Sequence, residues 1–249
     1  MIHSFLLIGQ SNMAGRGELE NAVPVDIQRI KILRNGRWQT MFRPVNPDRA
    51  FSGVSLAESF AEAYANKYGV EVGLIPCADG GTSLEQWKEG DLLYENAVYQ
   101  AHLAMRTSAL AGVLWHQGES DCTEGLCTTY RVRFEKLMQA FRRDLNAYDI
   151  PFILGGLGDF LADYTADLEM KNYKKVNAQL QEIARENPWT GFVSAEGLMG
   201  KADNLHFNAK ALYEFGLRYF SVYETVKVPD KKFEEKTDFS KPRSSLEAL

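Results

Sequence analysis

The chain has 249 residues, 45% of them apolar, a formal net charge of −5, three cysteines and four histidines. That length suits one large α/β domain or two small ones, with enough apolar material for a sizeable core. The mild acidity offers no electrostatic attraction to nucleic acid or to an anionic membrane surface; the scattered cysteines are no disulfide framework, and so few His and Cys leave little material for a zinc cluster.

Residues 1–9 carry no basic leader, and their apolar run is too short for a signal peptide or a membrane span, so a cytoplasmic protein is expected. Residues 5–8 read as a buried strand that stops at Gly9. A weak alternation over 29–33 meets Asn35-Gly36, a hairpin signal, and 37–48 reads as an ordered loop. Leu56, Phe60, Ala63, Tyr64 and Tyr68 have helical spacing, closed by Gly69 as C-cap. Strand 70–76, helix 92–109 and strand 112–115 follow. An amphipathic helix over 130–148 places Phe134, Leu137, Met138, Phe141 and Leu145 on one face. Strand 151–155, helix 173–186, strand 191–194 and a last helix over 209–223, capped by Asn208, complete the alternation. Short apolar strands joined by helices imply a parallel sheet of five strands covered on both faces. One domain is expected over 1–227, with a charged, loosely docked or disordered tail over 228–249. Cys122 and Cys127 can bridge across a loop, but cytosolic redox conditions favour free thiols.

In such sheets ligands sit beyond the carboxyl ends of the strands. The loops starting at Gly9, Cys77, His116 and Ala195 lie there. Ser11 leaves a buried strand beside a glycine that permits a sharp turn, as an activated nucleophile requires, although an isolated Ser of this kind is more often a helix cap. A serine hydroxyl needs a base such as imidazole, and the imidazole needs a carboxylate. Asp203 stands three residues before His206 in one loop, a pair that can supply both or be a surface Asp and a packed His. The GxSxG elbow of the α/β-hydrolases is absent around Ser11, and so is a GxGxxG phosphate loop.

Four segments carry a resemblance: Phe5-Leu6-Leu7-Ile8-Gly9-Gln10-Ser11-Asn12-Met13, Gly80-Gly81-Thr82-Ser83, Trp115-His116-Gln117-Gly118-Glu119-Ser120-Asp121 and Asp203-Asn204-Leu205-His206-Phe207. In this order they resemble the sequence blocks of the SGNH hydrolases, and more narrowly the branch of acetylxylan esterases and sialate O-acetylesterases that includes carbohydrate esterase family six. The resemblance implies a three-layer, flavodoxin-like sandwich around a five-stranded parallel sheet. It implies Ser11 as nucleophile, His206 as base and Asp203 as the carboxylate that orients it. The oxyanion donors are then the Ser11 and Gly81 backbone N–H groups and the Gln117 side-chain amide, where most of the superfamily has asparagine. Losing one such donor typically costs about a hundred- to a thousandfold in rate.

Around these, Glu119 is expected to steady a nearby amide or Arg16, with support of His206 as the alternative. His116 is expected to support its neighbours rather than act as a second base. Gln10 and Asn12 either bind substrate or hold their loop. Trp87 is a candidate for stacking on a sugar, with Arg43 and Tyr94 as weaker ones. The function implied is a serine esterase that removes acetyl groups from a saccharide such as acetylxylan through an acetyl-enzyme, without metal or cofactor and without nucleic-acid or membrane partners. A sialate O-acetylesterase, a general short-chain carboxylesterase and a catalytically silent carbohydrate-binding protein are the alternatives. Oligomeric state is not legible in the sequence.

Overall fold

In the computed structural model, which describes residues 1–229, 231 and 233, the first apolar run lies at the centre of one sheet. Its strands are β1 (Ile2–Gly9), β2 (Ile30–Arg34), β3 (Arg37–Thr40), β4 (Glu71–Pro76), β5 (Ser108–His116), β6 (Phe152–Gly155) and β7 (Thr190–Val193). They lie in the order β3-β2-β4-β1-β5-β6-β7. All neighbours are parallel except β3, which returns antiparallel along β2. The helices are α1 (Ser11–Ala14), α2 (Ala57–Tyr68), α3 (Leu92–Met105), α4 (Glu124–Cys127), α5 (Tyr130–Asp144), α6 (Tyr173–Glu186) and α7 (Ala209–Val226).

Alternation along β1 builds the two outer layers. Phe5 and Leu7 pack with Phe60 and Tyr64 of α2 and Phe215 and Tyr219 of α7. Leu6 and Ile8 pack with Ala97 of α3, Phe134 of α5 and Leu180 of α6. Successive strand side chains point to opposite faces, so a strand covered on both sides must be apolar at every position. All four of these β1 side chains are fully buried, at roughly 2 kcal/mol of transfer free energy each.

The three-layer α/β sandwich stands as expected, and the sheet is wider than five strands. The additional strands are the β2–β3 hairpin, turned by Asn35 and Gly36 at φ of 50° and 73°. β3 is polar and mostly exposed, which suits an edge and hides its strand character in the sequence. Helix α3 ends at Met105 rather than at 109, and β5 begins at Ser108 rather than at 112. A short apolar stretch such as Ala109-Leu110-Ala111 fits a helix or a buried strand equally well. Pairing with β1 decides it, helped by a hydrogen bond between the Ser108 and Ser4 hydroxyls at 2.9 Å. Helix α5 ends at Asp144, just before Asn146 at φ 49°, rather than at 148, and α7 runs three residues further than expected, to Val226. Gly69 caps α2 in the left-handed conformation, and the Asn208 side chain accepts the Ala211 N–H at the start of α7, both as expected.

The three cysteines are buried free thiols. No described helix is long and apolar enough to cross a membrane. The expected tail at 228–249 lies almost wholly outside the described residues.

Candidate active site

The site begins where β1 stops. At Gly9, φ is +129° and a Cβ would stand 2.1 Å from the His116 carbonyl oxygen, so only glycine lets the chain turn here. The Gln10 N–H then bonds that same carbonyl at 2.9 Å, which locks the exit of β1 to the exit of β5. Ser11 is the first residue of α1. Its Oγ lies 3.0 Å from Nε2 of His206, although 195 residues separate them along the chain.

His206 sits in the loop between β7 and α7. Its Nδ1 is 2.8 Å from Oδ2 of Asp203, while Oδ1 of the same carboxylate accepts the Leu205 and His206 N–H groups at 2.9 Å each. Asn204, between them, is left-handed at φ 51°. Burial works to raise the Asp203 carboxyl, but the hydrogen bonds from the ring and the two N–H groups outweigh it and hold the group below its ordinary value. A carboxylate facing Nδ1 favours the tautomer protonated there and leaves the Nε2 lone pair for the Ser11 hydroxyl.

The loop after β4 forms the next wall. Gly81 has φ +78° and lines the pocket. Neither its N–H nor that of Ser11 donates to a protein acceptor among the described residues. Gly80 packs so closely that a Cβ would meet Arg16 Nη2 at 2.4 Å and the Ser11 Cβ at 3.4 Å. Below it, Arg16 binds Asp48 through two bonds of 2.9 and 2.7 Å, with both side chains almost wholly buried. Burial tends to raise the Asp48 carboxyl; Arg16, Ser52 and the Gly80 N–H overcome this and hold it below its ordinary value.

Gln117 does not stand where the resemblance places it. It is fully buried and absent from the pocket wall. Its Nε2 donates to the Thr82 carbonyl at 3.0 Å and to Asp121 Oδ2 at 2.6 Å, which uses both amide hydrogens. Its Oε1 accepts from the Tyr130 hydroxyl at 3.2 Å. The amide therefore grips the Gly81 loop from behind instead of pointing at the oxyanion position. Asp121, the last residue of that sequence block, does the same: it also accepts the Leu84 N–H and pairs with Arg133. Asp121 carried no signal separable from its neighbours.

Glu119 lies in the wall, 3% exposed. It accepts from the Asn12 side-chain amide at 2.6 Å, so it steadies an amide as expected. Arg16 goes to Asp48, and the carboxylate on His206 is Asp203. Asn12 ties three loops together, since it also donates to the Leu205 carbonyl and accepts the Phe207 N–H. Gln10 lines the pocket and accepts the Gly118 and Ser120 N–H groups at 3.3 Å. His116 is fully buried, with Nε2 on the Gly156 carbonyl at 3.1 Å and its ring edge-on to Phe207 and Phe215. Burial pushes its pKa down, and it supports the floor of the site.

Trp87 is not at the pocket mouth. It is fully buried, donates to Thr82 Oγ1 at 3.1 Å and packs edge-on against Trp115. Arg43 pairs with Glu58, and Tyr94 is buried against Phe141 with its hydroxyl on Asp144. None of the three lines the pocket, an opening of about 420 Å³ above Ser11 and His206. Its lining instead includes Arg49, Phe51, Tyr164, Asp167 and Met170. Phe51 is 71% exposed and lies over the Arg16 guanidinium. Arg49, Phe51, Tyr164 and Asp167 belong to irregular segments, and Met170 to a short 3-10 helix. No cluster of metal-ligating side chains occurs among the described residues.

A three-layer sandwich with these loops at the carboxyl ends of its parallel strands is the fold of the SGNH-type hydrolases. Within it, the chain belongs to the family described as carbohydrate esterase, sialic acid-specific acetylesterase, whose profile matches residues 1–225. It is 28% identical to a probable carbohydrate esterase of Arabidopsis thaliana, over 88% of this chain and 89% of that one. The solved Arabidopsis structure superposes with a TM-score of 0.79 over 90% of this chain and 98% of that one. NanS has the same fold at 17% identity, with a TM-score of 0.69 over 90% and 97% of the two chains. So does a carbohydrate acetylesterase from Xanthomonas citri, at 20% identity and a TM-score of 0.68 over 90% of this chain and 56% of that one. The protein is a carbohydrate acetylesterase by family.

Proposed function

We propose that the protein is a serine esterase that removes O-acetyl groups from a saccharide through an acetyl-enzyme intermediate. One observation carries this: Ser11 Oγ is within hydrogen-bonding reach of His206 Nε2, whose other nitrogen meets Asp203, on the floor of an open pocket. In the mechanism, Ser11 attacks the acetyl carbonyl while His206 takes its proton. The Ser11 and Gly81 N–H groups hold the oxyanion, both unclaimed by protein acceptors among the described residues. Gln117 serves by holding the Gly81 loop through Thr82. His206 returns its proton to the leaving sugar hydroxyl, and water activated by the same base then releases acetate.

Two saccharide classes fit this chemistry: a neutral acetylated polymer such as acetylxylan, and O-acetylated sialic acid, which the family's description favours. The test is a pre-steady-state burst with p-nitrophenyl acetate, together with acetate release from acetylated saccharides. Ser11→Ala should abolish the burst and lower turnover by about 10⁴-fold or more. Turnover of the folded variant at the wild-type rate refutes the assignment.

A further inference from the structure

We propose that Arg49 is a positioning residue of the oxyanion site, one that aims and strengthens the Gly81 N–H by gripping the Gly80 carbonyl. The inference rests on the esterase reading above, in which the Gly81 N–H is a donor to the oxyanion. It adds a residue that lies in none of the four sequence blocks.

The Gly80 carbonyl and the Gly81 N–H belong to one peptide unit. That unit is trans, and a trans peptide is planar with its C=O and N–H pointing in opposite directions. Arg49 Nη2 donates to the Gly80 oxygen at 3.0 Å. Holding the oxygen on one side fixes where the hydrogen points on the other. A peptide between two glycines needs such a hold, because neither residue has a side chain to restrict its turning. The contact also acts electronically. A cation at the oxygen draws density through the C–N resonance, which makes the N–H a better donor. The Gly81 N–H has no protein acceptor among the described residues, so this added strength is available to a ligand.

The arginine is itself held. Its Nη1 donates to the Asp48 carbonyl at 2.8 Å and meets the Asp79 carboxylate at 2.8 Å, and its backbone N–H bonds Ser52 Oγ at 3.1 Å. The groups flanking the Gly81 N–H are claimed as well. The Gly80 N–H goes to Asp48 Oδ2 at 2.8 Å, and the Thr82 carbonyl accepts from Gln117 at 3.0 Å. Gln117 therefore steadies the loop from the buried side and Arg49 from the pocket side, where its side chain remains 42% exposed.

The experiment measures Arg49→Ala and Arg49→Lys on p-nitrophenyl acetate, a substrate without a sugar. Arg49→Ala is expected to lower kcat about five- to twentyfold with little change in KM, short of the hundredfold or more that loss of a whole oxyanion donor brings. Affinity for methylboronic acid, which forms an anionic tetrahedral adduct on a serine Oγ, should weaken by the same factor. Arg49→Lys keeps the cation but not the fork that reaches several acceptors, and should recover part of kcat. The melting temperature should barely move, as for other exposed side chains. An unchanged kcat overturns the proposal, and so does a fall in kcat with boronate affinity intact. An effect confined to KM for acetylated saccharides overturns it too, since that makes Arg49 a sugar contact. Ser11→Ala keeps the two readings apart. If it turns over like wild type, the esterase assignment itself fails; if it is inactive while Arg49→Ala is unimpaired, only the role of Arg49 falls.

Discussion

The floor and the rim of the pocket are built on opposite principles. On the floor, Ser11, Asn12, Glu119 and His116 are almost wholly buried, and Asn12 alone links α1, the loop after β5 and the His206 loop. At the rim, Phe51 is largely exposed, and the segment carrying Tyr164 and Asp167 is irregular. A buried polar group has a steep penalty if left unpaired, and each of these floor side chains makes a hydrogen bond to another segment, although one Glu119 oxygen and His116 Nδ1 are left without a partner among the described residues. A rim side chain in water has no such constraint. Chemistry therefore belongs to the part that cannot shift, and substrate preference to the part that can change at little cost in stability.

The contrast breaks most severely at Asp203. Asp203→Asn keeps the shape but loses the charge that sets the His206 tautomer, and kcat should fall on the order of a thousandfold with little change in KM; steady-state kinetics on a chromogenic acetate checks it. Asp48→Asn should come next, in stability: it strands the buried Arg16, at about 3–5 kcal/mol in denaturant unfolding. The sign of the pH effect follows. Asp48 and Asp203 both have folded-state pKa values below their ordinary 3.8. Their stabilisation is thus present above that value and is lost as pH falls through the lower folded values. A melting temperature that stays flat from pH 6 to pH 3 would contradict it. Trp87→Ala should cost about 3–5 kcal/mol because it empties a fully buried indole site.

Smaller effects sharpen the comparison. Gln117→Ala should lower kcat about ten- to a hundredfold and depress the melting temperature as well, since it frees the Gly81 loop and leaves Asp121 short of a donor. A rate loss with unchanged melting would restore Gln117 to the role of direct oxyanion donor. Smallest of all, Phe51→Ala should raise KM for saccharide esters a few-fold and leave stability within about 0.5 kcal/mol, as for other exposed positions. Comparing Trp87→Ala with Phe51→Ala separates a core indole from a substrate-facing ring.

The sequence on its own determined the alternation of strands and helices and the exit of β1 at Gly9, both written in local pattern as an apolar run and a glycine. Ser11, Asp203 and His206 were singled out by the resemblance of four sequence blocks, since the local pattern around each left a plain structural role open. Tertiary structure decided the rest. It assigned residues 108–111 to a strand because β1 offers them a partner, and it made a polar edge strand of 37–40. It turned Gln117 away from the pocket because Thr82, Asp121 and Tyr130 claim its amide, buried Trp87, and brought Phe51 and Asp167 to the rim. The physical reason is that the direction of a side chain depends on hydrogen-bond partners far away along the chain. Such partners leave no periodicity for a sequence to display.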